Sequence, residues 1–225
     1  MDIQPLIDAM ESGQDFERAA QIKRYMKTEM DTIGLTMAEL RSATKNFVKT
    51  LRQQHDWNAE LSRQLVSELW SQFNWTMRQS AIEVLVYDIA YHKKDAAASL
   101  KYCEEVILPK LDGWALTDVL ATKVLPFLVP NPQHLLNWLD NDSFWIRRCS
   151  LLAQFPQIRK MQADLEVHQQ CVDHLIDDKE WFIQKAIGWS LRTIGYKQPE
   201  WVLSFVEDRP NMSKFAKKEA LRRII

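Results

Sequence analysis

The sequence predicts an all-α chain in which pairs of helices repeat along its length, and three observations carry that prediction. Only five glycines stand among 225 residues, β-branched runs are few, and apolar residues recur at spacings of three and four, the helical period. No segment alternates apolar and polar residues as a half-buried strand does. An aromatic followed three places later by a base recurs as Trp75/Arg78, Trp145/Arg148, Phe182/Lys185 and Phe215/Lys218, and Trp114 falls in the same row. These aromatics are 31 to 39 residues apart, the length of a two-helix repeat of the HEAT kind. An α-solenoid of HEAT-like repeats is therefore expected, its concave face lined by a stripe of bases suited to a polyanion.

Start and stop signals mark the elements in order. Asp15 stands before Phe16, a cap position ahead of a helix, and Gly34 ends the first stretch. Thr36-Met37-Ala38-Glu39 reads as a capping box. Asn74 precedes Trp75 and opens a helix expected to run to Tyr91, with Ile82, Leu85, Val86 and Ile89 as its apolar stripe. Gly113 precedes the helix that begins at Trp114, and Pro126 and Pro130 close that region. Asn131-Pro132 reads as a cap with proline at the first helical position. A helix from Ser143 to Phe155 follows, stopped by Pro156, and Gly195 with Pro199 and then Pro210 complete about a dozen helices. No linker or low-complexity stretch interrupts them, so residues 1–225 are expected to form a single domain.

Composition excludes several classes. Net charge is −1, so bulk charge does not point to a polyanion, although residues 141–225 hold 14 Lys and Arg against 11 Asp and Glu and the remainder is acidic. Cys103, Cys149 and Cys171 stand far apart without a CxxC pair and read as buried thiols of a reducing compartment. The five histidines form no HExxH, and no metal site is expected. GxSxG, Walker A and GxGxxG are absent, which argues against the corresponding hydrolase, nucleotidase and dinucleotide readings and leaves no cofactor expected. The first residues lack a basic, apolar leader, and no window of ~18 apolar residues exists for a membrane span. A cytoplasmic monomer is expected.

The row of bases breaks at Trp114, where Thr117 takes the basic position and Asp118 follows. A carboxylate at a helix start suits the helix dipole by ~0.3–1 kcal/mol, which is the ordinary reading. Trp114, four residues earlier on the same helical face, and Arg148 and Lys185 at equivalent positions favour a site. Trp145 reads as core. Gly188 lies within a helix beside Trp189, where glycine costs ~1 kcal/mol relative to alanine, so either another helix or a ligand must approach it closely. Arg147 points about 100° away from Arg148 and is expected to meet solvent. Lys214, Lys218 and Arg222 form a basic ridge, either a solvated face or a phosphate contact.

Asp-Lys-Glu-Trp-Phe-Ile-Gln-Lys-Ala-Ile-Gly-Trp-Ser-Leu-Arg at 178–192 resembles the signature of the AlkD-type DNA alkylation repair glycosylases. Arg24-Tyr25-Met26-Lys27 leading to Gly34-Leu35, Trp114 to Asp118, and Phe144-Trp145-Ile146-Arg147-Arg148 follow in that family's order, so the likeness spans nearly the whole chain. The resemblance implies a solenoid that releases N3- and N7-alkylated purines from duplex DNA in base excision repair, without enclosing the damaged base. It makes Asp118 the catalytic carboxylate, Trp114 and Trp189 the indoles flanking the lesion's deoxyribose, Arg148 the arginine of that site, and Tyr25 a backbone contact. Arg78, Lys185, Arg192 and Lys218 are expected to bind DNA beside them. Ala115 stands where that family commonly has aspartate, and Val119 where it has a small hydroxyl residue. A solenoid that binds damaged or branched DNA without cutting it and a protein-binding HEAT scaffold are the other readings.

Overall fold

The computed structural model describes residues 1–224, and the described chain is helical, with fourteen α-helices and no strand beyond one isolated bridge between Asp31 and Asn74. Tertiary contacts divide it into two compact units, residues 1–120 and residues 121 onward. The fold is the expected all-α helical-repeat kind. No helix among the described residues is long and apolar enough to cross a membrane.

In the first unit, α1 (Gln4–Glu11) and α2 (Phe16–Met26) lead into α3 (Met37–Gln54), α4 (Ala59–Ser71) and α5 (Trp75–Tyr87). The predicted caps are present. Asp15 accepts from the Arg18 N–H, Thr36 and Glu39 close a full capping box, and Asn74 accepts from the N–H groups of Thr76 and Met77. Each satisfies backbone donors that the first turn leaves unpaired, at about 1 kcal/mol per cap. Helix α3 buries Leu40, Thr44, Val48 and Leu51, a stripe of period near 3.6. Helix α5 packs between α3 and α4 and is buried along most of its length, from Trp75 to Leu85.

That burial takes in polar groups, and each finds a partner. Glu83 accepts from Arg41 Nε at 3.0 Å and from Gln79 Nε2 at 3.2 Å. Ser80 donates to the Thr76 carbonyl at 2.8 Å. The helix expected from Trp75 to Tyr91 instead breaks at Asp88, and α6 (Ile89–Lys94) follows. The fully buried Asp88 carboxylate accepts from Arg52 and, at 3.0 Å, from the Trp57 indole. Those long-range partners fix a residue whose φ of −95° and ψ of 10° end the helix, and no local signal announces them.

Helix α7 (Ala96–Tyr102) continues through a π-turn at Cys103–Ile107 and a short 3-10 turn at Leu108–Lys110. Helix α8 (Trp114–Lys123) begins after Gly113, whose φ of +96° suits glycine. In the second unit Asn131 caps as expected, with its side chain accepting from the His134 N–H, but the residues that follow, Pro132–Trp138, form a 3-10 helix. Helix α9 (Phe144–Leu152) ends before Pro156, which lies in the first turn of α10 (Phe155–Arg159). Proline there begins a helix rather than stopping one, because a first-turn residue needs no N–H donor.

Helices α11 (Leu165–Leu175), α12 (Trp181–Gly195), α13 (Pro199–Glu207) and α14 (Lys214–Leu221) complete the unit. Helix α12 is its hub, packing against α9, α10, α13 and α14. The close approach expected at Gly188 is a helix: a Cβ there would lie 2.5 Å from the Glu219 Cβ and 3.0 Å from the Ala216 carbonyl of α14. The three cysteines are buried as expected, and burial pushes the Cys103 and Cys171 thiols up to about 12.

Candidate active site

Within the first unit the expected residues Tyr25, Trp114 and Asp118 are close together. Tyr25 is in the last turn of α2 and is 69% exposed. Its ring meets that of Trp114 edge to face, with centroids 5.6 Å apart, a geometry in which the positive edge of one ring meets the negative face of the other. Trp114 is the first residue of α8, and Asp118 follows one turn later on the same face. Both are partly exposed, so the carboxylate is not sealed beneath neighbouring helices. Thr117 is fully buried and donates to the Gly113 carbonyl at 2.9 Å, closing the first turn of α8.

Counting from helix starts changes the register read from the aromatics. Arg148, Lys185 and Lys218 are each the fifth residue of α9, α12 and α14, and the fifth residue of α8 is Asp118. Trp114 is the first residue of its helix, whereas Trp145, Phe182 and Phe215 are the second of theirs. The acid, and not Thr117, therefore occupies the position that three other helices give to a base. Arg78 is the fourth residue of α5 and keeps the register of its aromatic only.

Arg78 is also placed differently from a phosphate clamp. Its guanidinium donates to the carbonyls of Gln72 and Lys110, both at 3.3 Å, and lies over the Trp70 and Phe73 rings. Burial lowers its pKa, opposed by the Asp112 carboxylate. It braces two loops of the first unit, with part of its surface left to solvent.

In the second unit Arg148 is almost fully buried, at 1% exposure, and it donates to the Phe182 carbonyl with its guanidinium 6.0 Å from the Phe182 ring centroid. Trp189 lies seven residues beyond Phe182 on the same face of α12. It is partly exposed and meets Phe155 edge to face at 4.6 Å. Lys185 and Lys218 are exposed. Arg192 is ion-paired with Glu219 of α14, so its charge is already matched within the protein. Arg147, expected in solvent, instead pairs with Asp178 at 2.9 Å and donates to the carbonyls of Asn141 and Asp142.

Two groups had no sequence signal as site residues. Trp145, read as core, is only partly buried and packs at a tilt against Phe144 and Phe182, with centroids 4.4 and 4.8 Å apart. Trp181 meets Phe182 at 5.0 Å and Phe215 at 5.6 Å, and the Lys185 ammonium sits 4.6 Å from its ring centroid. The repeat aromatics of the second unit thus form a continuous ladder, which their spacing of 33 to 37 residues does not reveal.

A solved structure described as a predicted DNA alkylation repair enzyme from Enterococcus faecalis superposes with a TM-score of 0.76 at 21% identity, covering 93% of this chain and 96% of that one. AlkD2 from Streptococcus mutans gives 0.61 at 16% identity, over 92% and 97% of the two chains. The protein smu.31 from Streptococcus mutans UA159 gives 0.60 at 16% identity, over 96% and 100%. At these identities the likeness establishes the fold. No curated protein matches the chain. A family described as DNA alkylation repair enzyme matches residues 6–224, and the chain belongs to that family.

Proposed function

We propose that this protein is a DNA glycosylase that hydrolyses the N-glycosidic bond of positively charged N3- and N7-alkylated purines in duplex DNA, releasing 7-methylguanine and 3-methyladenine. The observation that carries the reading is Asp118, a partly exposed acid in the helical position that α9, α12 and α14 give to a base, one turn from an indole that packs on Tyr25.

An alkyl group at N3 or N7 leaves the base cationic and ready to depart, so no general acid is required. As the bond stretches, positive charge moves to the deoxyribose, as in glycoside hydrolysis. Asp118 stabilises that charge and orients water towards C1′, and a preformed carboxylate there contributes most where water is excluded. The indoles of Trp114 and Trp189 add cation–π attraction of ~0.5–2 kcal/mol each. Arg148, buried and donating to the Phe182 carbonyl, positions the start of α12, and the exposed Lys185 and Lys218 grip the backbone. The damaged base is not enclosed, so the enzyme selects for charge and lability, and neutral lesions such as hypoxanthine remain in place. The protein acts as a cytoplasmic monomer without a cofactor, with residues 1–225 as one functional domain.

The test is base release from methylated duplex DNA by the parent and by Asp118→Asn. Release by the parent that is lost in the variant supports the reading. Equal rates in the two proteins would make the chain a non-catalytic DNA binder, and efficient excision of neutral bases would refute the charge-based route.

A further inference from the structure

The second unit leaves two large aromatic side chains in solvent side by side. Trp181, the first residue of α12, is 49% exposed, and Phe215, the second residue of α14, is 36% exposed. Their rings are 5.6 Å apart and tilted by 37°. Single exposed apolar residues are common on any protein. Two in contact on different helices are a surface, and this one is held rigidly.

Helix α14 approaches α12 closely because residue 188 has no Cβ, so the two rings keep their spacing. Trp181 is further fixed by its edge contact at 5.0 Å with Phe182, which in turn lies under Arg148. The charges around the pair favour an anion. Lys185 follows Trp181 by one turn, its mobile ammonium lying 4.6 Å from the Trp181 ring centroid and free to swing to a phosphate, and Lys214 and Lys218 flank Phe215, all three exposed. Glu180 is the exposed acid beside Trp181, and Glu219 is engaged by Arg192 and Arg222.

Flat π-faces interleaved with cations match a nucleic-acid strand whose bases are out of the stack, because aromatic side chains stack on a base while the cations follow the phosphates. A fully paired duplex hides those faces and offers only its backbone. We propose that Trp181 and Phe215 form a stacking platform for an unpaired nucleobase, with Lys185 and Lys218 on its flanking phosphates, so that the protein prefers DNA with a locally opened strand. The inference extends the DNA reading above and does not depend on catalysis.

The experiment measures dissociation constants of the full chain, by fluorescence anisotropy, for a labelled duplex and for the same duplex with a short unpaired bulge, across a range of salt concentrations. The parent should bind the bulged duplex more tightly. In Trp181→Ala and Phe215→Ala the ratio of the two constants should fall roughly tenfold, and Trp181→Phe should keep most of it. Lys185→Gln and Lys218→Gln should weaken both DNAs and flatten the salt dependence. Circular dichroism and thermal melting confirm that each variant is folded. A parent without preference, or alanine variants whose ratio matches the parent's, overturns the proposal. A parent that prefers bulged DNA yet releases no methylpurine sustains the platform and removes the glycosylase reading.

Discussion

Helices α8 and α12 begin alike and end up with opposite chemistry. Each starts with an indole, Trp114 or Trp181, and each presents its fifth residue one turn later, Asp118 in one and Lys185 in the other. In α12 the base lies 4.6 Å from the centroid of its own indole, an exposed cation beside an exposed ring. In α8 the indole is held instead by Tyr25. A repeat fixes where a side chain is displayed; the residue placed there decides whether the position carries a cation or a carboxylate.

The sharpest way to break that comparison is to neutralise both positions in turn. Asp118→Asn should lower the single-turnover rate of 7-methylguanine release by roughly 100- to 1,000-fold without weakening DNA binding. Lys185→Gln should instead act mainly on affinity, reducing the slope of log K against log salt by about one unit. Losses in the same kinetic constant for both variants would mean that the two positions share one role.

The units also differ in how each holds a buried histidine. In the first, His92 is bonded at both ring nitrogens, to Ser62 at 3.1 Å and Ser99 at 3.0 Å. In the second, His168 is bonded to Ser190 at 3.0 Å while its Nδ1 is buried without a partner. Burial lowers both to about 4. Above pH 6.5 both folded and unfolded chains keep these rings neutral. As pH falls from about 6.5 to 4, the unfolded chain takes up protons that the folded chain refuses, so stability should drop by up to about 3 kcal/mol per histidine. Urea unfolding at pH 7.5 and 4.5 measures the loss. His168→Leu should flatten the profile at little cost at pH 7.5, since Ser190 still donates to the Ile187 carbonyl. His92→Leu should cost more, because it strands the Ser62 hydroxyl and leaves Ser99 bonded only as an acceptor to Arg63.

Two glycines contrast the units at smaller amplitude. Gly188→Ala forces α14 off α12 and should destabilise by about 2 kcal/mol. Gly113→Ala meets nothing within 4 Å and is penalised only for its positive φ, by about 1 kcal/mol. Thermal melting ranks them. A reversed order would relocate the tighter constraint to the start of α8. Smallest of all, Tyr25→Ala should weaken binding of methylated duplex a few-fold by freeing the Trp114 ring.

The caps at Asp15, Thr36 and Asn74 were legible because a cap is local: donor and acceptor lie within three residues. The class of fold and the recurrence of aromatic and base were legible because period survives without coordinates. The partners of Arg78, Arg147 and Arg192 were not, because Lys110, Asp178 and Glu219 lie 27 to 32 residues away, and a basic residue carries no mark of which acid or carbonyl will claim it. The break at Asp88 and the 3-10 helix after Asn131 escaped for a related reason. Cap chemistry announces where a helix starts but not how its later residues wind. The slip of one residue between aromatic and helix start hid Asp118 in the basic register until the helices were placed.

Helix α2 closes on Lys27 in the left-handed region, with φ of 54° and ψ of 43°, a conformation that taxes any side chain with a Cβ. Replacing it with glycine would relax that torsion and raise melting temperature slightly, while enlarging the range of conformers open to the segment bearing Tyr25. The phenol that leans on Trp114 would then be steered less firmly, so a gain in robustness would come with blurred aim.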